Sequence, residues 1–400
     1  MDLISEHPYW LMRNGIPHSY PSLQKDVSAD IAIIGTGISG TLTAYYLGKA
    51  GYKVVQADRR HAAMGSTVAS TSLLQYEIDT PMHDLAEKMG EVNAVRCYQL
   101  CLEAIYELRR TCAPFSKHVG FKLRPSLQYA SHRKDIEPLR REYELRKKHG
   151  FKLRWLETEE IRKLFGLEAK AALLSSDAAE ADAYFATHHL LQSCLRMGNQ
   201  VYDNTNVTKI YHKRDGVLLN TDTGYTIKAK KLVIACGYES IHYIPFKVAK
   251  LYSTYAIVTE PVDKKLLWHK RSLIWETAMP YMYYRITGDN RILIGGKDDD
   301  FYNPDKRDAS VKRKAKQLEN AFKKKFPNIP IRTDFRWAGT FAGTADGLPY
   351  IGTLKETPNT YFALGFGGNG ITFSLVAAKI ICDIISGKEN KDAELFSFNR

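Results

Sequence analysis

"DIAIIGTGISGTLTAYYLGKAGYKVVQADRR", residues 30 to 60, decides the fold. Asp30 to Ile34 is a short apolar run with β-branched residues, the mark of a buried parallel strand. It runs into Gly35-Thr36-Gly37-Ile38-Ser39-Gly40, the pattern G-x-G-x-x-G. Leu42, Ala44, Tyr45, Leu47 and Gly48 continue at helical spacing, and a second strand, Lys53 to Ala57, ends on Asp58. Each glycine has its own physical task. Gly35 permits a sharp turn, Gly37 lets the backbone approach a pyrophosphate, and Gly40 lets helix and strand pack closely. The helix directs its unpaired N–H groups and positive dipole end at the phosphates, and Asp58 is placed to accept from ribose hydroxyls. A glycine-rich turn alone is common. Strand, glycines, helix, strand and acid in this order predict dinucleotide binding. Asp58 would repel a 2′-phosphate, although Arg59 and Arg60 follow it, so FAD and NAD remain.

A chain of 400 residues suits two lobes sharing one core, and 44% hydrophobic with 25% charged residues is an ordinary globular balance. The six cysteines (Cys97, Cys101, Cys112, Cys194, Cys236 and Cys382) form no C-x-x-C pair, and no histidines stand at zinc spacing. Reduced thiols, no metal and a cytoplasmic enzyme are expected, with Cys97 and Cys101 packed in a helical core. No signal-peptide pattern opens the chain, and no uncharged apolar stretch is long enough to span a membrane. The net charge of +13 concentrates in "LRREYELRKKHG", residues 139 to 150, and "SVKRKAKQLENAFKKKF", residues 310 to 326. Val311, Ala315, Leu318 and Phe322 share one face of the second stretch, which favours a helix packed inward over one resting on RNA or an anionic membrane. Nucleic acid is therefore not expected as a partner, and membrane contact is at most peripheral.

Four further pieces lie far from the first motif. Small and hydroxyl residues run from Gly65 to Ser72. They read either as a surface loop or as backbone passing close to a flat ring, with Ser66 and Thr67 near the pyrophosphate and Ser70, Thr71, Ser72 and Leu73 under the ring. Residues 201 to 237 alternate as β structure with turns at Asp215-Gly216 and Thr223-Gly224, and the run Lys231 to Gly237 returns the chain to the nucleotide sheet, bringing Cys236 and Gly237 close to the ligand. Tyr281 to Thr287 and Arg291 to Gly295 read as a hairpin across Gly288-Asp289-Asn290. Tyr281, Tyr283 and Arg285 share one face of its first arm, which is either an anion clamp for a substrate carboxylate or a surface hairpin with cation–π contacts. Finally, Gly365, Gly367, Gly368, Asn369 and Gly370 precede an apolar helix, Ile371 to Ile385. A second glycine-rich helix start, from Gly367 to Thr372, offers donors to another polar end of the same ligand. A flavin pyrimidine ring is such an end and NAD does not reach so far, which moves the choice to FAD.

The order of these parts resembles the D-amino-acid oxidase-like flavoprotein family, from Tyr20 to about Gly387. The γ-glutamylputrescine oxidase-like and glycine oxidase-like branches are nearest, through "YPSL" at 20 to 23, "YYRITGDNRILIGG" in the hairpin and W-x-G-T at Trp337 to Thr340. The resemblance implies an α/β, two-lobed flavoprotein: a Rossmann-like FAD-binding domain (28–85, 146–240 and 335–390) with an inserted substrate domain (86–145 and 241–334) built on an antiparallel sheet. It implies that Gly35, Ile38, Ser39, Gly40, Asp58 and Arg59 bind the ADP half and that Val207 holds adenine through its backbone. Ser66 to Leu73 would line the isoalloxazine, Gly367 to Thr372 would face its pyrimidine oxygen, and Arg285 matches a hairpin arginine that faces substrate in several members. Three positions depart from family patterns. Phe341 replaces an arginine of the glycine oxidase-like branch, Leu293 stands where a lysine promotes reaction with oxygen, and Ala69 stands where a histidine tethers flavin. Non-covalent FAD follows, with oxygen or a quinone or other carrier as electron acceptor. The activity implied is oxidation of the C–N bond of a small amine or amino acid by hydride transfer to flavin N5, giving an imine that hydrolyses. Arg285 would hold an anionic group of the substrate, and Tyr252 or Tyr283 would donate to it. The rival readings are an RNA-directed flavoprotein acting on modified tRNA and an FAD-binding protein without turnover.

Overall fold

The apolar run around Ile31 and Ile33 is buried because it forms the middle of a sheet covered on both faces. The strand Val27–Ile34 pairs in parallel with Val54–Ala57 on one side and with Thr226–Ile234 on the other. Gln200–Tyr202 extends the sheet beyond Val54–Ala57, and Thr360–Leu364 extends it beyond Thr226–Ile234, both in parallel. The antiparallel strands Val207–Lys213 and Gly216–Thr221 hang from Thr226–Ile234, with turns at the expected Asp215-Gly216 and Thr223-Gly224 positions. Helices Ile38–Lys49 and Gly370–Ile385 pack against each other and share one core with the sheet. In this computed structural model, residues 1–365 and 367–400 are described.

The second sheet has ten strands. Its central run, Thr333–Gly343, Lys250–Thr259, Ile292–Asp299 and Tyr283–Ile286, is antiparallel throughout. One parallel pair, Leu273–Glu276 with Lys122–Tyr129, interrupts the pattern farther out. The hairpin takes the expected register, with Tyr283 opposite Gly295 and Arg285 opposite Leu293. The helix Pro304–Lys325 covers the sheet through Val311, Ala315, Leu318 and Phe322, so the apolar face read from the sequence is buried and the lysines of its last turn lie on the outside.

The lobes divide the chain differently from the sequence expectation. The sequence reading assigns residues 146–240 and 335–390 to the nucleotide lobe, whereas Leu153–Glu157, Ala171–Glu180 and Thr333–Gly343 pair within the large sheet. Conversely, the helix Glu91–Cys112 shares the nucleotide-lobe core, where Cys97, Cys101 and Ala104 lie with Phe373 and Ile380. The reason is that both lobes bury alternating or 3.6-periodic apolar residues alike, so periodicity does not say which core receives an element. No helix among the described residues is long and apolar enough to cross a membrane.

Candidate active site

One elongated cavity runs between the two sheets and is lined by residues from both glycine-rich turns. At one end, Gly35 has φ +115° and its N–H donates to the Ala57 carbonyl at 2.9 Å. A side chain is excluded at both outer glycines. A Cβ on Gly35 would lie 2.5 Å from the Ala235 carbonyl oxygen, and one on Gly40 would lie 2.1 Å from that of Gly35. Gly40 therefore serves helix packing and does not line the cavity, whereas Gly35, Gly37, Ile38 and Ser39 do. Gly37 has no side chain to cap the helix, and the first helical N–H, of Ile38, donates to Thr67 Oγ1 at 3.0 Å. Asp58 lines the same end, its carboxylate accepting from the Thr36 N–H at 2.8 Å and the Arg60 N–H at 3.0 Å. Burial pushes this carboxyl up, against the pull of those donors. Arg59 and Arg60 both pair with Glu239, so their charge is largely spent inside the protein. Val207, Cys236 and Gly237 complete this half of the lining.

The hydroxyl-rich stretch crosses the middle of the cavity as a short helix, Ser66–Ala69, followed by irregular backbone with Ser72 at φ +54°. Ser66, Thr67, Ser70, Thr71, Ser72 and Leu73 all line it. The carbonyls of this stretch are held from behind. Trp337 Nε1 donates to Ala69 at 2.9 Å, and Trp10 Nε1 donates to Ser70 at 2.7 Å. Arg285 Nη1 donates to Thr71 at 3.0 Å, Ser72 at 2.8 Å and Ala181 at 2.9 Å. Ser66 Oγ and Ser72 Oγ are buried without a partner among the described residues.

Arg285 is thus misassigned by the sequence reading. It is 3% exposed, absent from the cavity lining, stacked over Trp10 and 3.9 Å from Glu180. Its Nη1 holds the loop, while its Nε is buried without a hydrogen-bond partner among the described residues. Strand alternation gave its face correctly, but the loop Ser70–Leu73 lies between that face and the cavity. Tyr252 also falls outside the lining, behind Phe341 at 6.3 Å between ring centroids. Tyr283 does line the cavity, its ring seated over Gly295, where a Cβ would lie 2.2 Å from the tyrosine oxygen.

The far end is formed by the second glycine turn. Gly367, Gly368, Asn369, Gly370, Ile371 and Thr372 line it, and no side chain caps the helix start there either. Asn369 Nδ2 ties the turn to the carbonyls of Gln75 and Glu77 at 2.9 and 2.8 Å. Ser39 and Ser374 share a hydrogen bond of 2.6 Å that joins the two glycine helices. Two residues unmarked in the sequence shape this end. Asp79 accepts from the Gly368 N–H at 2.7 Å and from the Tyr281 hydroxyl at 2.9 Å, and burial raises its carboxyl. Asp298 lines the cavity beside Thr254, Tyr281 and Tyr283. The second helix start, the unpaired serine hydroxyls and the aligned glycines fit a long ligand with phosphates at one end and a polar ring at the other.

Residues 30–384 match the sequence profile of the DAO family, described as FAD dependent oxidoreductase. The chain belongs to this family, and FAD is its cofactor. Among relatives, γ-glutamylputrescine oxidoreductase of Escherichia coli (strain K12) is 24% identical, the match covering 94% of this chain and 87% of the relative. Glycine oxidase of Bacillus subtilis (strain 168) is 25% identical over 92% of this chain and 96% of its own. The crystal structure of glycine oxidase from Geobacillus kaustophilus superposes with a TM-score of 0.79 at 19% identity, covering 94% of this chain and 99% of that one. The protein is an FAD-dependent oxidoreductase related to amine and amino-acid oxidases.

Proposed function

We propose that the protein oxidises the C–N bond of a small amine or amino acid that enters the chamber lined by Tyr281, Tyr283 and Phe341. The observation that carries this reading is the continuity of that chamber with both glycine-rich helix starts in one cavity. FAD, when bound, supplies a hydride acceptor at ring N5, so that the substrate amine becomes an imine, which water hydrolyses to a carbonyl compound and ammonia or a smaller amine.

The residues of the chain supply placement. The turn from Gly35 to Ser39 would bring the pyrophosphate to the Gly37 and Ser39 amides, Asp58 would face the ribose, and Val207 with Cys236 and Gly237 would enclose the adenosine end. Ser66 to Leu73 would hold the ring from below, and the backbone of Gly367 to Thr372 would offer donors to its pyrimidine edge. Ala69 offers no nucleophile for a covalent tether at its position. Trp337, Trp10 and Arg285 fix the loop from behind, which limits drift of the reacting atoms; misplacement by about 1 Å costs on the order of a hundredfold in rate.

The test is an anaerobic absorbance titration of the purified holoenzyme with a panel of primary and secondary amines and amino acids. Bleaching by one class supports the reading and names that class. A flavin that dithionite reduces but no member of a wide panel bleaches would refute it. Readmission of air, or addition of a quinone, then identifies the electron acceptor.

A further inference from the structure

The sequence reading puts a cation against the substrate, but the folded chain puts an anion there. Gly295 sits opposite Tyr283 with its Cβ direction toward that ring, so regular alternation would turn Lys297 to the cavity next. It does not, because a β-bulge intervenes. Ser253 pairs with Asp299 and Tyr255 with Gly296, so the strand Ile292–Asp299 carries one extra residue, and Lys297 takes φ +60°. Bulges re-aim side chains in this way. Lys297 leaves the lining and Asp298 enters it.

Asp298 has no cation of its own among the described residues. Its Oδ1 is shielded from solvent and has no hydrogen-bond partner. The nearest ammonium, Lys314, is committed to Asp299 at 2.5 Å and to the Lys297 carbonyl at 2.6 Å. Around the chamber stand the rings of Tyr281, Tyr283 and Phe341, whose faces attract cations. Asp79 adds a second buried carboxyl behind Tyr281. Among the described residues, the only arginines in the lining, Arg59 and Arg60, lie at the adenosine end on Glu239. A carboxylate entering this chamber would meet acids and no arginine or lysine, while a cation would meet the Asp298 carboxylate.

We propose that Asp298 determines specificity by receiving a positively charged group remote from the nitrogen that is oxidised, so that diamines and longer polyamines are preferred over α-amino acids. This rests on the C–N oxidation reading above. Burial, reinforced by Asp79, raises the Asp298 carboxyl to about 6 against the pull of Thr254 and Lys314. An ammonium bound there would supply the countercharge that Thr254, a neutral donor, does not.

The experiment uses wild-type and Asp298→Asn holoenzyme with 1,4-diaminobutane, n-butylamine and sarcosine as substrates. Butyltrimethylammonium serves as a ligand that has no nitrogen lone pair to oxidise. Wild type should favour the diamine over butylamine by at least thirtyfold in kcat/KM, and the variant should shrink that ratio at least tenfold, chiefly through KM. The quaternary ammonium should shift the absorbance of the bound flavin, with Kd at least tenfold weaker in the variant. A wild-type preference for sarcosine over the diamine would overturn the proposal. So would an equal loss of kcat on both amines, which would mark Asp298 as a proton acceptor instead. If no amine reduces the flavin, C–N oxidation fails as the reaction, yet the quaternary ammonium titration still decides whether Asp298 is a cation site.

Discussion

Replacing Arg285 by Leu separates its role in positioning the loop from the carboxylate clamp suggested by the sequence. Three carbonyls, of Thr71, Ser72 and Ala181, share one nitrogen that has two hydrogens, so the guanidinium contributes about two full bonds. Hydrogen bonds from a charged donor contribute about 1.5–3 kcal/mol each. Breaking a buried ion pair ordinarily costs about 3–5 kcal/mol because a charge is stranded. Here Glu180 keeps Arg124, whose Nη2 lies 2.7 Å away, so stranding is slight and the total loss should be about 3–6 kcal/mol. Urea denaturation of holoenzyme and apoprotein should show a lower midpoint for the variant, and fluorescence titration should show FAD bound at least about tenfold more weakly as the loop loosens. Arg285→Lys should recover only part of the loss, since an ammonium lacks the planar fork that reaches several carbonyls. Unchanged stability and FAD affinity, with KM raised only for carboxylate-bearing substrates, would refute this account and restore the clamp.

Gly295→Ala should displace the Tyr283 ring, which a Cβ would meet at 2.2 Å, costing about 1–3 kcal/mol of overpacking and slowing flavin reduction by amine in stopped flow; an unaltered rate would mean the ring is not part of the chamber wall. Asp58→Ala removes an acceptor from the Thr36 and Arg60 amides, at 2.8 and 3.0 Å, and should weaken FAD binding in equilibrium dialysis while leaving the bound flavin spectrum unchanged. Asp298 has its folded carboxyl raised to about 6, so the native state holds the proton more tightly than the unfolded chain and wild type loses stability as pH rises from about 4 through 6. Asp298→Asn should accordingly gain on wild type across that window and level off above it, read as urea midpoints at several pH values.

The nucleotide half was legible because each requirement there falls on a local pattern. The turn at Gly35, the acid at Asp58 and the return strand ending near Cys236 are all marked by residue type within a few positions, and the structure brings them to one cavity end. The lobe boundary was not legible, since Ala171–Glu180 and Glu91–Cys112 carry apolar patterns that either core would accept. The substrate chamber was least legible, and both failures there have one cause. Period-2 alternation names the face on which a side chain starts, and what covers or interrupts that face is set by tertiary structure. Arg285 starts on the right face and is covered by the loop it holds. Lys297 would be on the cavity face of an unbroken strand, and one inserted residue replaces it with Asp298. The glycine at 296, with φ +129°, is the sole local hint of that insertion, and it looks like any strand glycine in sequence. A single extra residue in one strand thus reverses the charge presented to the substrate. Deleting Asp298 would restore regular pairing between Tyr255–Gly296 and Ser253–Asp299, present Lys297 to the chamber, and should turn its preference from cations toward carboxylates.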